Sequence, residues 1–339
     1  GLSGFGGVTV LPVSPGTQWG TGKPCPGTEP AYLSDEYFER YADILDISEK
    51  QGTQVILYDD IDFPSGSAGG RLRKEYPQYV RKYLSKEEFT VKGNQPVSRQ
   101  RKDTASVLAA VSALNEQTRE VLDLGPYMNG NTLTWKAPAG EWRVMFFNCG
   151  VSMDSYHGNL VDYMQPEAVS QLLEMTYGEY DKRFNRYFGN VITKTFFDDV
   201  GFVHQENAWT PAITGIFKEK YGKNPALYYP ALFYDIGPET GAARVAFFDI
   251  RSELMAEGYV KQVSEWSGKR RAICSRSRYH KISKAMKENK DTACEPCEQN
   301  FERNINRLVK EGKAPTPKAR QQKEHEVKSA FAEIGKERK

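Results

Sequence analysis

Two clusters of carboxylates stand where apolar runs end. Asp59, Asp60 and Asp62 follow the run VILY, and Asp198 and Asp199 follow KTFF. Short, nearly continuous apolar runs are the mark of strands buried on both faces, as in parallel sheets. In a (β/α) barrel the C-terminal strand ends converge on one mouth, so acids placed there face a substrate. One carboxylic acid to protonate a leaving oxygen and one carboxylate to activate water or attack are the groups that cleave a glycosidic bond. For any single Asp the competing reading is a helix cap or an ion pair with Arg; two doublets on two such strands favour the chemical one. Aromatic residues crowd the same stretches: Tyr58, Phe63, Phe202 and Trp209. Rings stack on the apolar C–H faces of sugars, although most aromatic residues in any protein are core. His204 and Glu206 lie just past Asp199 on the same expected loop and are candidates for sugar hydroxyls or a metal. A lone His is more often structural.

Two further motifs compete for attention. The loop FPSGSAGG after the first acidic cluster suggests a phosphate cradle, but it lacks the Lys and the spacing of a P-loop. A backbone-defined wall of a substrate pocket is the better reading. Near the C-terminus Cys294 and Cys297 form CEPC, with Cys274 and His280 upstream. One CxxC without a second matched pair is a weak zinc signal.

The elements that must position the acids follow from periodicity. GVTVLPV reads as a strand, followed by a Gly/Pro-rich loop through Pro30. Ser34 is placed as an N-cap, with Tyr37, Phe38, Tyr41, Ile44 and Leu45 at helical spacing and closure near Gly52. TQVILYDD is then a buried strand, and this order of elements indicates a parallel α/β architecture. Between about Glu87 and Cys149 the pattern changes. ASVLAAVSAL, EVLDL, NTLTWKAP and EWRVMFFNCG are short strands separated by turn signals such as NGN and APAG. They read as an inserted all-β module; the alternative is that they join the main sheet. After Asn159 come the helical PEAVSQLLEMTYGEYDKRFNRYFG, the buried strand VITKTFFDDVGF, and helices over TPAITGIFKEKYG and from about Glu239 to Trp266.

Composition bounds the function. The chain has 339 residues, 39% of them hydrophobic and 12% aromatic, enough for a substantial core. No apolar run approaches the roughly eighteen residues of a membrane span. The first residues lack the basic start and apolar stretch of a signal peptide, which leaves localisation open, with a periplasmic or secreted place expected. The net charge of +2 is uneven: from Arg270 to Lys339 nineteen Lys and Arg stand against ten Asp and Glu. Such a tail is usually solvated, and nucleic acid is not the expected partner. Five scattered cysteines do not describe a disulfide framework.

The segment YLSDEYFERYADILDISEKQGTQVILYDDIDFPSGSAGG resembles the second β/α segment of alpha-L-rhamnosidase-type enzymes, glycoside hydrolase family 106. GEWRVMFF is similar to that family's small β insertion, NLVDYMQPEAV to its return into the barrel, and TKTFFDDVGF to its strand bearing an acidic pair. IFKEKYGKNPALYYPALFYDIGPETGAARVAFFDIRSEL resembles the helical segment that follows, so the likeness covers about residues 1–268. The resemblance implies a (β/α)8-type TIM barrel, a terminal α-L-rhamnosyl or related sugar as substrate, and inversion at the anomeric carbon. It also implies calcium assistance, with no ligands assignable here. Asp199 falls where the family carries an acid at a strand end and is the first catalytic candidate, with Asp198 and Asp60 beside it. Asp59, Asp62, Asp162, Phe63, His204, Glu206 and Trp209 are the candidate substrate contacts.

Two departures qualify the barrel. The chain begins inside it, without the first strand, and after about Lys269 it runs into the basic tail where further strands and a second catalytic carboxylate are expected. The expectation is an incomplete barrel over residues 1–86 and 151–268, a β module over 87–150, and a helical or disordered tail over 269–339. A catalytically incompetent, carbohydrate-binding fragment is the rival reading.

Overall fold

A computed structural model of the chain describes residues 6–17, 23–151, 160–202 and 207–274. The first elements are β1 (Gly7–Thr9), α1 (Asp35–Gln51), β2 (Gln54–Tyr58) and α2 (Arg71–Glu75). A run of strands follows: β3 (Lys82–Lys92), β4 (Pro96–Gln100), β5 (Val107–Asn115), β6 (Val121–Asp123), β7 (Met128–Asn129), β8 (Thr132–Lys136) and β9 (Glu141–Val151). Then come α3 (Pro166–Met175), α4 (Tyr177–Phe184), β10 (Ile192–Phe196), β11 (Ala208–Trp209) and α5 (Ala212–Tyr221). The last are α6 (Thr240–Met255), a π-helical turn (Ala256–Val260), α7 (Lys261–Lys269) and β12 (Ile273–Cys274). The described residues divide into two units, those within 1–84, 150–210 and 252–280, and those within 85–149 and 211–251.

The first unit is built on a parallel sheet in the order β1-β2-β10-β12. Val8 pairs with Val55, and Phe196 stands beside Tyr58, so β2 and β10 end level with one another. Val55 and Leu57 of β2 are fully buried, as an apolar run between covered faces requires. Helix α1 starts at Ser34, whose hydroxyl accepts from the Tyr37 N–H at 3.1 Å, and stops at Gly52 in the left-handed region with φ 65°. Its Tyr37, Phe38, Tyr41 and Leu45 face the core, where Tyr41 meets the Tyr180 ring of α4 edge-on with centroids 4.9 Å apart. Burying a side chain such as Leu45 contributes about 1.5–3 kcal/mol. In this unit the first residues of β3 also pair with β11, Lys82 opposite Trp209 and Tyr83 opposite Ala208.

The second unit is antiparallel. Strands β3, β9, β5 and β6 follow one another in one sheet, and β4, β8 and β7 form another. Asn115 pairs with Trp142 and Val111 with Phe146, with a bulge between Leu108 and Ala110. β8 alternates buried and exposed residues, putting Leu133 and Trp135 into a core with Val111, Trp142, Val144 and Phe146.

The expected (β/α)8-type TIM barrel, even as an incomplete one, is not what the chain forms. Among the described residues the parallel sheet has four strands and stays open, and most strands lie in the antiparallel sheets. Closing a barrel takes a common tilt and shear carried by strands linked through crossover helices. Between β2 and β10 this chain supplies strands with no crossover helix between them, which pair antiparallel with one another instead, β4 with β8 and β5 with β9 and β6. The basic tail beyond Cys274 lies outside the described residues. No helix among the described residues is long and apolar enough to cross a membrane.

Candidate active site

The parallel register puts the acidic turn after β2 beside the acidic turn after β10, on the C-terminal edge of the sheet. There the five candidate acids meet different surroundings. Asp59 and Asp60 are buried, Asp62 and Asp198 are half-buried, and Asp199 is exposed.

Asp60 is enclosed by the loop that follows it. Its Oδ1 accepts from the Ile61 N–H at 2.8 Å, the Gly69 N–H at 2.9 Å and the Ser67 hydroxyl at 3.2 Å. Its Oδ2 accepts from the N–H groups of Gly66 at 2.8 Å, Ala68 at 3.0 Å and Ser67. The Gly/Ser-rich loop is therefore a cradle of amides for an anion, and the anion is the protein's own carboxylate. Gly66 at φ 134° and Gly69 at φ 66° supply the backbone turns that aim these amides inward. Burial pushes the Asp60 carboxyl up from its ordinary value, and the amide donors oppose that shift.

Asp59 points to the other side of the strand end. Its Oδ1 accepts from the Ser65 hydroxyl at 2.6 Å and its Oδ2 from the Tyr259 hydroxyl at 2.8 Å. Burial, and after it the charge of Asp60, raises this carboxyl to about 8, against the two hydroxyl donors. Ser65 also joins the two turns. Its N–H donates to the Asp198 carbonyl at 2.9 Å, and its Oγ accepts from the Asp198 N–H at 2.9 Å. Arg81 secures the far end of the second turn by donating to the Gly201 carbonyl at 2.6 Å. Asp199 sits between these anchors with φ 48°, in the left-handed region.

The remaining candidates are spread around these turns. Asp62 (φ 58°) accepts on Oδ1 from the Ser14 N–H at 3.0 Å and the Thr17 hydroxyl at 3.3 Å, which tethers the loop after β1. Phe63, three residues beyond Asp60, is 38% exposed. Asp162 is buried next to a segment whose Val161 N–H donates to the Gly66 carbonyl at 2.8 Å. Its Oδ1 accepts from the Met164 N–H at 3.1 Å, and burial raises its carboxyl against the opposing effects of Lys82, the Met164 N–H, the Thr210 hydroxyl and Arg81. Trp209 is buried in β11 opposite Lys82. His204 and Glu206, like His280, Cys294 and Cys297 of the zinc motif, lie outside the described residues.

Sequence reasoning passed over Ser65, Tyr163, Arg81 and Tyr259. Ser65 was visible only as part of a loop wall. Tyr259 had one signal, the Gly258 before it inside a helical pattern, which marks a close backbone approach. Among the described residues no three His, Cys, Asp or Glu side chains gather as a metal site. A calcium ion takes six to eight oxygens, and the oxygens of Asp59 and Asp60 are taken by protein donors. The calcium implied by resemblance therefore has no matching donor set in the described residues.

The family model for alpha-L-rhamnosidase (glycoside hydrolase family 106) matches residues 67–292. Among solved structures, the rhamnosidase from Novosphingobium sp. PP1Y matches with a TM-score of 0.53 at 12% identity, over 80% of this chain and 43% of that one. That likeness bears on the fold, and the chain spans less than half the length of that enzyme. No curated protein matches the chain.

Proposed function

The chain belongs to the alpha-L-rhamnosidase family of glycoside hydrolases, and on that premise we propose that it cleaves terminal α-L-rhamnosyl or related sugars with inversion, using Asp199 as a reacting carboxylate. The observation that carries this reading is the placement of Asp199: exposed at a parallel strand end, on a turn pinned by Ser65 and Arg81. An inverting site holds its two carboxyls about 6.5–9.5 Å apart, with water between them and the anomeric carbon. Asp199 serves as one of the pair, and the second comes from the half-buried Asp198 or from outside the described residues. Phe63 stacks on an apolar sugar face, and Asp62 and Asp162 bind hydroxyls or orient the reacting acid. The donors around Asp60 support a loop-organising role for it, since they leave its oxygens no room for a substrate proton. The substrate is an oligosaccharide or a polysaccharide side chain.

Release of nitrophenol from an aryl α-L-rhamnoside tests this. Asp199→Asn keeps the shape and removes the acid–base function, so kcat falls about 100-fold or more. Undiminished turnover in that variant would end the assignment of Asp199. One observation favours a second reading, sugar binding without hydrolysis: of the five strand-end acids, Asp199 is the one that stands exposed, and an inverting reaction needs two. Binding of L-rhamnose by the chain with no product from the glycoside would select it.

A further inference from the structure

The hydrogen bonds at the sheet edge form one connected path. It starts on the π-helical turn Ala256–Val260, where the backbone takes a wider turn between α6 and α7 and buries Gly258, Tyr259 and Val260. Such turns recur at functional sites because the extra residue re-aims a side chain. Here the Tyr259 ring meets Tyr163 and Phe197 edge-on, with centroids 5.1 and 5.3 Å away, and its hydroxyl donates to Asp59 Oδ2 at 2.8 Å. Asp59 Oδ1 accepts from Ser65 Oγ at 2.6 Å, and Ser65 Oγ accepts from the Asp198 N–H at 2.9 Å. The Ser65 carbonyl accepts from Tyr163, so every polar group of Ser65 is engaged. The path ends one residue before Asp199, whose left-handed backbone is held from this side by the Ser65 clamp.

We propose that Tyr259, acting through Asp59 and Ser65, is a positioning residue that fixes the Asp198–Asp199 turn for catalysis. The catalytic half of the proposal rests on the rhamnosidase reading of this site; the structural half does not. Tyr259 touches no reacting atom. It keeps Asp59 oriented so that its Oδ1 accepts the hydrogen bond of the Ser65 hydroxyl, which leaves the Ser65 lone pair aimed at the Asp198 amide. Without the tyrosine hydroxyl, Asp59 Oδ2 loses its donor and is free to turn, Ser65 loses its fixed rotamer, and the turn bearing Asp199 loosens.

The test uses the full chain and two readouts. Tyr259→Phe removes the hydroxyl and keeps the ring contacts. Amide hydrogen exchange over residues 197–201 is expected to speed up by about ten-fold or more, with β5 and β9 unchanged. On the aryl rhamnoside, kcat is expected to fall about ten-fold with KM within about two-fold, since an interaction that orders the reacting group acts on the transition state. Tyr37→Phe is the control: it removes another buried hydroxyl, paired with Tyr180 at 2.9 Å, and leaves both readouts at wild-type values. Should Tyr259→Phe fail to fold, Ser65→Ala breaks the same path at its centre and carries the same expectations. Unchanged exchange at 197–201, or equal acceleration in Tyr37→Phe, would overturn the relay. Faster exchange with unchanged kcat would overturn its catalytic half. A wild-type chain that releases no rhamnose would defeat the functional reading, while the exchange readout still decides the relay.

Discussion

Five backbone amides and one hydroxyl converge on the two oxygens of Asp60. Removing that carboxylate orphans a set of buried donors, and each orphan costs desolvation that no other group nearby can offset. Asp60→Ala is therefore expected to destabilise the chain by about 3 kcal/mol or more. Urea unfolding checks this, and a loss below about 1 kcal/mol would show that the loop finds other acceptors. Asp59 gives a prediction in pH. Its carboxyl is raised by burial to about 8 in the folded chain, against about 3.9 when unfolded. Between these values the folded state keeps a proton that the unfolded state has released. Stability thus falls as pH rises from about 4 to about 8, by at most about 1.4 kcal/mol per pH unit. Asp59→Asn removes that slope, so unfolding midpoints of variant and wild type should diverge towards pH 8 in the variant's favour; parallel curves would contradict the assignment. Neither environment could be read from the string DDIDFPSGSAGG. The residue types announced an anion beside a Gly/Ser loop, but not that the anion and the loop satisfy one another.

At the scale of elements, helix α1 was legible from end to end. Ser34 caps it and Gly52 stops it because capping and left-handed closure depend on adjacent residues. The strand ends carrying the acids were legible for the same reason, since VILY and VITKTFF are local strings rich in β-branched and aromatic residues. Strand β3, KYLSKEEFTVK, was not singled out: it alternates charge with apolar residues and is a strand through its pairing. The π-helical turn was also hidden, apart from Gly258. A Cβ added there would stand 2.5 Å from the Tyr163 carbonyl oxygen, which is backbone and cannot retreat. Gly258→Ala is expected to cost about 1–3 kcal/mol through overpacking. Gly268→Ala, in α7 with nothing within 4 Å of the new carbon, is expected to be neutral or slightly stabilising. Equal effects in thermal unfolding would mean that the turn is not held against Tyr163.

At the scale of the molecule, the family was legible and the architecture was not. The acidic strand ends, FPSGSAGG and NLVDYM are local strings, and they point to the family whose model matches residues 67–292. Barrel closure is a property of all strands together, and the antiparallel pairing of β4 to β9 is decided by partners distant in sequence. We propose that this chain, a member of the rhamnosidase family, hydrolyses its substrate at the edge where β2 and β10 end. The most direct measurement follows an aryl α-L-rhamnoside mixed with the purified chain by proton NMR. Release of L-rhamnose is expected with the β anomer appearing first, and loss of that signal in Asp199→Asn. No release, or the α anomer appearing first, would contradict it.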